Sequence, residues 1–163
     1  MQNFIPSNKC LNLLKSIETL SLRPYLDKGF IPTIGYGCTY YEDDTRVKLT
    51  DKAITTNRAT ELFHNIIVPY YQCVNKVITA NMTQQQFDAF FIMCYNCGVG
   101  AFSRPAQVAK WFNLGNIPMV AEWWVKSFIT VTNPSSLTIE VDGLINRRKA
   151  ELNIFQNGIY ERW

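Results

Sequence analysis

Only one stretch of this chain reads as sheet. From Glu18 to Thr39, aromatic and branched residues such as Tyr25, Phe30, Ile31, Ile34 and Tyr36 are punctuated by Gly29, Pro32, Gly35 and Gly37. That is the pattern of short strands joined by tight turns. Within it, residues 33–37 (T-I-G-Y-G) alternate large side chains with glycine, so this backbone is expected to pass close to another part of the molecule. Tyr40 and Tyr41 extend the β character. The remainder carries helical periodicity, which gives an α+β chain with one small sheet.

The helical segments have legible ends. Ser7 suits the N-cap of a stripe of Cys10, Leu11, Leu13, Leu14 and Ile17, which delivers Glu18 at the last turn. Thr55 or Thr56 opens a helix through Ala59, Leu62, Phe63, Ile66 and Ile67, and Pro69 breaks or kinks it before Val74, Val77 and Ile78. Thr83 to Gln86 has the form of a capping box, leading a stripe of Phe87, Phe90, Phe91, Met93 and Cys94 that ends at Gly98. Residues 98–102 read as a glycine-rich turn. Two further helices are expected over 103–112 and 118–128, the second carrying Trp123 and Trp124, of which one is core. Residues 130–137 read as a surface loop, and a last helix runs from about Asp142 to Gln156 with Gly158 beyond its end.

Composition narrows the functional classes. With 163 residues there is room for one domain. A hydrophobic content of 47% with 18% charged residues excludes a disordered chain. The formal charge of +3 is too mild to argue for binding to nucleic acid. No apolar run is long enough to insert stably in a membrane, and the opening residues do not form a leader, so the chain is expected to stay in a cytoplasm until something releases it. Five cysteines without a leader favour free thiols. Cys94 and Cys97 form C-x-x-C, but with a single distant His64 they make no zinc site, and Glu42, Asp43 and Asp44 read as a solvated turn rather than a metal site.

The chemistry lies in the acids. Glu18 stands at the end of an apolar helical stripe, the setting in which a carboxyl keeps a proton to donate, and Asp27 follows in an extended segment. Two carboxyl groups on different local elements are the equipment for acid and base work on an acetal bond.

The spacing of Glu18, eight residues, Asp27, five residues, Thr33 and then I-G-Y-G resembles the active-site signature of the phage-type lysozymes (endolysins, glycoside hydrolase family 24). The family motif usually continues with histidine where this chain has Cys38, so no role of that histidine is carried over. Q-Q-F-D-A-F through Y-N-C-G-V-G-A-F, and G-L-I-N-R-R in the last helix, resemble two further family blocks in the same order. The resemblance implies a lysozyme-like fold in one catalytic domain, residues 1–163. A small lobe would span about 18–55 and a helical lobe about 56–163 plus the N-terminal helix, with the active-site cleft between them. It implies Glu18, Asp27 and Thr33 as catalytic residues, Asn96 as a sugar-binding residue and Arg147 as the group that orients Glu18. It implies cleavage of peptidoglycan between N-acetylmuramic acid and N-acetylglucosamine, with inversion of configuration, by a monomer that needs no metal or cofactor. A lytic transglycosylase and a non-catalytic wall-binding module with the same fold are the alternatives.

Overall fold

Glycine and buried aliphatic residues organise one part of the structure, and an all-round buried helix organises the other. The structure is a computed structural model, which describes residues 3–18, 20–27, 29–104, 107–132 and 138–163 and, of Val131 and Thr132, the backbone alone. The chain divides into two compact units, Asn12–Pro69 and Met1–Leu11 with Tyr70–Trp163.

In the first unit, α1 (Asn8–Ile17) contributes Leu13 and Leu14, both buried. Strands β1 (Ser21–Leu26) and β2 (Pro32–Gly35) form an antiparallel hairpin in which Tyr25 faces Thr33 and Leu26 faces Pro32. The register slips between Ser21 and Tyr25, where the strand carries Pro24. A second tight turn follows, because Ile34 and Cys38 exchange both backbone hydrogen bonds at 2.9 Å. Gly35 and Gly37 sit in this turn at φ +65° and +86°, the region that glycine enters without steric cost. A Cβ on Gly35 would lie 3.5 Å from the Cβ of Ala59, so the close approach anticipated from the alternating glycines is to α2 (Thr56–Ile66). Ile34, Cys38, Val47 and Leu62 form the core here, with Tyr41, Ile54 and Ile66 packed on it.

The acidic run is used locally. Both oxygens of Glu42 accept from Arg58, with Nη2 to Oε2 at 2.7 Å, and Asp43 Oδ1 accepts from the amide and hydroxyl of Thr45. Thr55 caps α2 by accepting from the Arg58 amide. After Ile67 a new helix, α3 (Val68–Val77), begins with Pro69 at its second position, where the missing N–H costs nothing.

The second unit is built around α4 (Gln84–Cys97), which opens with the Thr83–Gln86 capping box. Phe87 to Cys94 are buried without interruption, so this stretch of the helix has no solvent face. Around it lie α5 (Val99–Ser103), α6 (Gln107–Asn113), α7 (Ile117–Lys126) and α8 (Asp142–Asn157). The ring of Phe90 meets those of Phe102, Phe112, Trp124 and Phe155 at centroid separations of 5.0 to 6.2 Å. Trp124 is therefore the core tryptophan of the consecutive pair. Asp88, wholly buried, accepts from the Ser7 amide and hydroxyl, Gln84 Nε2 and the Tyr160 hydroxyl. Gly158 ends α8 in the left-handed region at φ +68°.

Three expectations need correction. Residues 98–102 are not a glycine-rich turn, because Val99–Ser103 form the short helix α5 with Phe102 buried. Ser103 closes that helix rather than opening the next, which begins at Gln107; Pro105 and Ala106 lie outside the described residues. The loop expected over 130–137 starts instead as β3 (Thr130–Thr132), antiparallel to β4 (Thr138–Glu140), a second sheet; residues 133–137 lie outside the described part. Strands of three residues, the second fully exposed, carry no alternation for a sequence pattern to register.

The α8 charges yield a stability prediction. Glu151 is wholly buried, and burial pushes its carboxyl from 4.5 up to about 6 against the opposing pull of Arg148 and Arg147. Because the folded state binds this proton more tightly than the unfolded chain, Glu151 favours folding below pH about 4.5, and that contribution is lost as pH rises through about 6. Denaturant titrations of the parent and Glu151→Gln are expected to show the parent losing about 2 kcal/mol relative to the variant across that window.

Candidate active site

Asp27 sits where β1 ends, and local hydrogen bonds fix it. Its amide donates to the Ile31 carbonyl at 3.1 Å, and the Phe30 amide donates to the Asp27 carbonyl at 3.0 Å, closing a three-residue hairpin loop. The carboxylate completes the turn: Oδ1 accepts from the amides of Gly29 and Ile31, each at 2.8 Å. A short acidic side chain bonding the backbone two residues on is the local turn that Asp favours. A Cβ at Gly29 would stand 3.3 Å from that same oxygen, so glycine is what leaves room for the carboxylate.

Thr33 is on β2, 2% exposed, and its hydroxyl donates to the Ile31 carbonyl at 2.9 Å. Directly opposed residues of an antiparallel pair share a face, as do residues two apart on one strand. Thr33 faces Tyr25, and the pairing continues to Asp27 and Ile31. Thr33, Tyr25 and Asp27 therefore lie on one face of the hairpin.

Glu18 follows the last residue of α1, and its amide still bonds the Leu14 carbonyl at 2.9 Å, so the helical turn carries through it. The side chain is half-buried. The phenol of Tyr25 reports its proximity: burial first, then Glu18, Asp27 and Cys38, all raise the Tyr25 pKa. The Tyr25 hydroxyl thus lies in the fields of both acids, and Thr33 stands opposite Tyr25 across the ladder. Sequence reasoning assigned Tyr25 to strand formation only. The available signal was its offset of two residues from Asp27, which puts both side chains on one face once the segment is known to be a strand.

Cys38 is a core residue. It is buried among Ile34, Val47 and Leu62, and burial pushes its thiol up to about 11 despite a backbone hydrogen bond at Tyr36. At neutral pH it is an uncharged small hydrophobe.

Asn96 and Arg147 belong to the helical unit. Near the end of α4, the Asn96 side-chain carbonyl accepts from Arg148 Nη2. Arg147 Nε lies 3.4 Å from Glu151 Oε1, and its guanidinium carbon lies 4.9 Å from the ring centre of Trp163. Arg148 Nη2 is 3.1 Å from the same Glu151 oxygen, while Trp124 Nε1 donates to the other at 3.3 Å. Arg147 is thus part of a buried charged cluster centred on Glu151, and the half-buried Asn96 bonds to that cluster through Arg148. Among the described residues no group of three or more His, Cys, Asp or Glu side chains is placed to hold a metal ion, and no helix is long and apolar enough to cross a membrane. All five cysteines are free thiols; burial raises Cys94 strongly and pushes Cys97 up to about 12.

Comparison with known proteins agrees with the motif. The chain is 32% identical over 155 residues to the endolysin of Bacillus phage PZA and 30% identical over 152 residues to that of Bacillus phage B103, in each case over 91% of its own length. It spans about half the length of these relatives, 54% and 52%. Among solved structures, the endolysin from Escherichia coli O157:H7 phage FAHEc1 superposes with a TM-score of 0.90 at 32% identity, covering 99% of both chains. The muramidase domain of SpmX from Asticaccaulis excentricus gives 0.79 at 26% identity, covering 94% of this chain and 98% of the other. These likenesses make the fold the α+β lysozyme-like one. With the phage lysozyme family model matching residues 15–151, the chain belongs to the phage lysozyme family.

Proposed function

We propose that this protein hydrolyses peptidoglycan, cutting the β-1,4 bond between N-acetylmuramic acid and N-acetylglucosamine, and so serves bacterial lysis. The observation that carries the reading is the Asp27 carboxylate, held by the Gly29 and Ile31 amides on the same hairpin face as Thr33 and sharing Tyr25 with Glu18. Glu18, half-buried at the end of α1, protonates the leaving glycosidic oxygen. Asp27 holds the attacking water and takes its proton, with the Thr33 hydroxyl fixing that water.

Direct attack by water inverts the anomeric centre and leaves a reducing N-acetylmuramic acid end. The two amides matter because they hold the Asp27 carboxylate in one orientation before substrate arrives, which is how a positioned base gains over one in solution. Asn96 and Arg147 have supporting roles in this reading, the first held by Arg148 and the second by Glu151 and Trp163. The protein acts as a monomer, without metal or cofactor, and reaches the wall from the host cytoplasm.

Purified peptidoglycan treated with parent protein, Glu18→Gln and Asp27→Asn tests this directly. The parent is expected to release reducing N-acetylmuramic acid ends, identified by mass spectrometry, and each variant to lose roughly 10²-fold or more of the rate. Anhydro ends would instead identify a lytic transglycosylase, and binding without release a wall-binding module. Nuclear magnetic resonance of the first-formed anomer reads the stereochemistry, with the α anomer expected.

Gly29→Ala probes the amide clamp. The added methyl stands 3.3 Å from Asp27 Oδ1 and must displace it by a few tenths of an ångström. The rate constant is expected to fall on the order of 10-fold with little change in melting temperature, since misplacing a catalytic group by about 1 Å can cost 10²-fold.

A further inference from the structure

Phe30 occupies the third position of the hairpin loop at φ +60°. That position of a three-residue loop takes the left-handed conformation and is ordinarily glycine, because a Cβ there crowds the following carbonyl. The ring offers the fold nothing in return, being 82% exposed. Two other non-glycine residues share a positive φ among the described residues. Asp44 is of a type that tolerates the region, and Phe128 is half-buried, so its ring packs. Phe30 alone combines the disfavoured backbone with a solvated aromatic ring.

Its surroundings give the ring a use. The Phe30 amide donates to the Asp27 carbonyl, and the next residue, Ile31, donates to the Asp27 carboxylate. Ile31, which follows the loop on the same face as Asp27, is 44% exposed. An apolar tip thus stands immediately beside the candidate catalytic carboxylate. Strain kept at a position adjoining a functional group points to a role in ligand contact.

We propose that Phe30 is a substrate-binding residue that stacks on the apolar C–H face of an N-acetylhexosamine ring of the glycan strand, next to the bond under attack. A pyranose presents hydroxyls at its rim and carbon-bound hydrogens on its faces, and a flat ring free in water covers such a face without leaving a polar group unpaired. Ile31, on the same hairpin face as Asp27, flanks the contact. This inference rests on the muramidase reading above.

The test uses the whole protein as parent, Phe30→Gly and Phe30→Trp, with soluble N-acetylglucosamine–N-acetylmuramic acid oligosaccharides as the probe. Phe30→Gly relieves the backbone, so its melting temperature is expected to rise by about 2–4 °C. Its KM, and its Kd in a Glu18→Gln background, are expected to rise roughly 3- to 10-fold with kcat nearly unchanged, the range an aromatic contact supplies. Phe30→Trp restores KM. An unchanged KM in Phe30→Gly, or a fall in kcat alone, would overturn the stacking role. So would Phe30-dependent binding of the parent to anionic phospholipid vesicles with oligosaccharide affinity unaffected, which would make the tip a lipid contact. If the parent itself releases no ends, the muramidase reading fails and this one with it; an active parent whose KM ignores position 30 refutes this inference alone.

Discussion

Eight consecutive buried residues, Phe87 to Cys94, dictate the helical unit. A helix with no face for water must be surrounded on all sides, and the rings of Phe102, Phe112, Trp124 and Phe155 meet Phe90 for that reason. The same constraint makes Asp88 consequential. A carboxylate on such a helix must be satisfied by protein groups, and those groups come from both ends of the chain, Ser7 before α1 and Tyr160 after α8. One acidic residue thus ties two terminal segments to the central helix. Replacing it with an apolar residue would strand the donors of both.

The other unit is held by shorter-range means. Its hairpin carries a slipped register and a proline, and its loops depend on backbone positions rather than on a large core. Glycine is assigned where geometry leaves no alternative. The loop after β1 has two places that favour it: the left-handed third position, and the second position, where a Cβ would press on Asp27 Oδ1. The chain spends its one glycine there on the second, at Gly29. Orientation of the carboxylate has taken precedence over relaxation of the backbone, and Phe30 bears the strain.

That choice also marks the limit of what could be read in advance. The capping box at Thr83, the Ser7 and Thr55 caps and the stop at Gly158 were legible because each is a local bond between groups a few residues apart. The acids at 18 and 27 stood out through their motif spacing. By contrast, a reader of D-K-G-F-I would give the left-handed position to Gly29, because nothing in five letters says which residue must clear the carboxylate. Helix α5 is not legible in the sequence because Gly98 and Gly100 signal a turn, whereas the fold buries Phe102 on a helix there. Tyr25 reads from sequence only as a strand former, since its neighbours depend on which residue lies across the ladder.

The buried acids show why the proposed chemistry is assigned to Glu18 and Asp27. Asp88 is enclosed and accepts from Ser7, Gln84 and Tyr160, so its lone pairs are occupied. Glu151 is also fully enclosed, and its displaced titration comes from burial beside two arginines and a tryptophan N–H, the setting of a structural ion cluster. A perturbed carboxyl is a functional candidate only when a reacting atom can reach it. Glu18 and Asp27 are half-buried, which combines a partly desolvated setting with access. Asp27 adds an orientation fixed by two amides, which under the proposed mechanism need not rearrange. Access and fixed direction, rather than the size of any titration shift, separate the acids suited to catalysis from those that hold the fold.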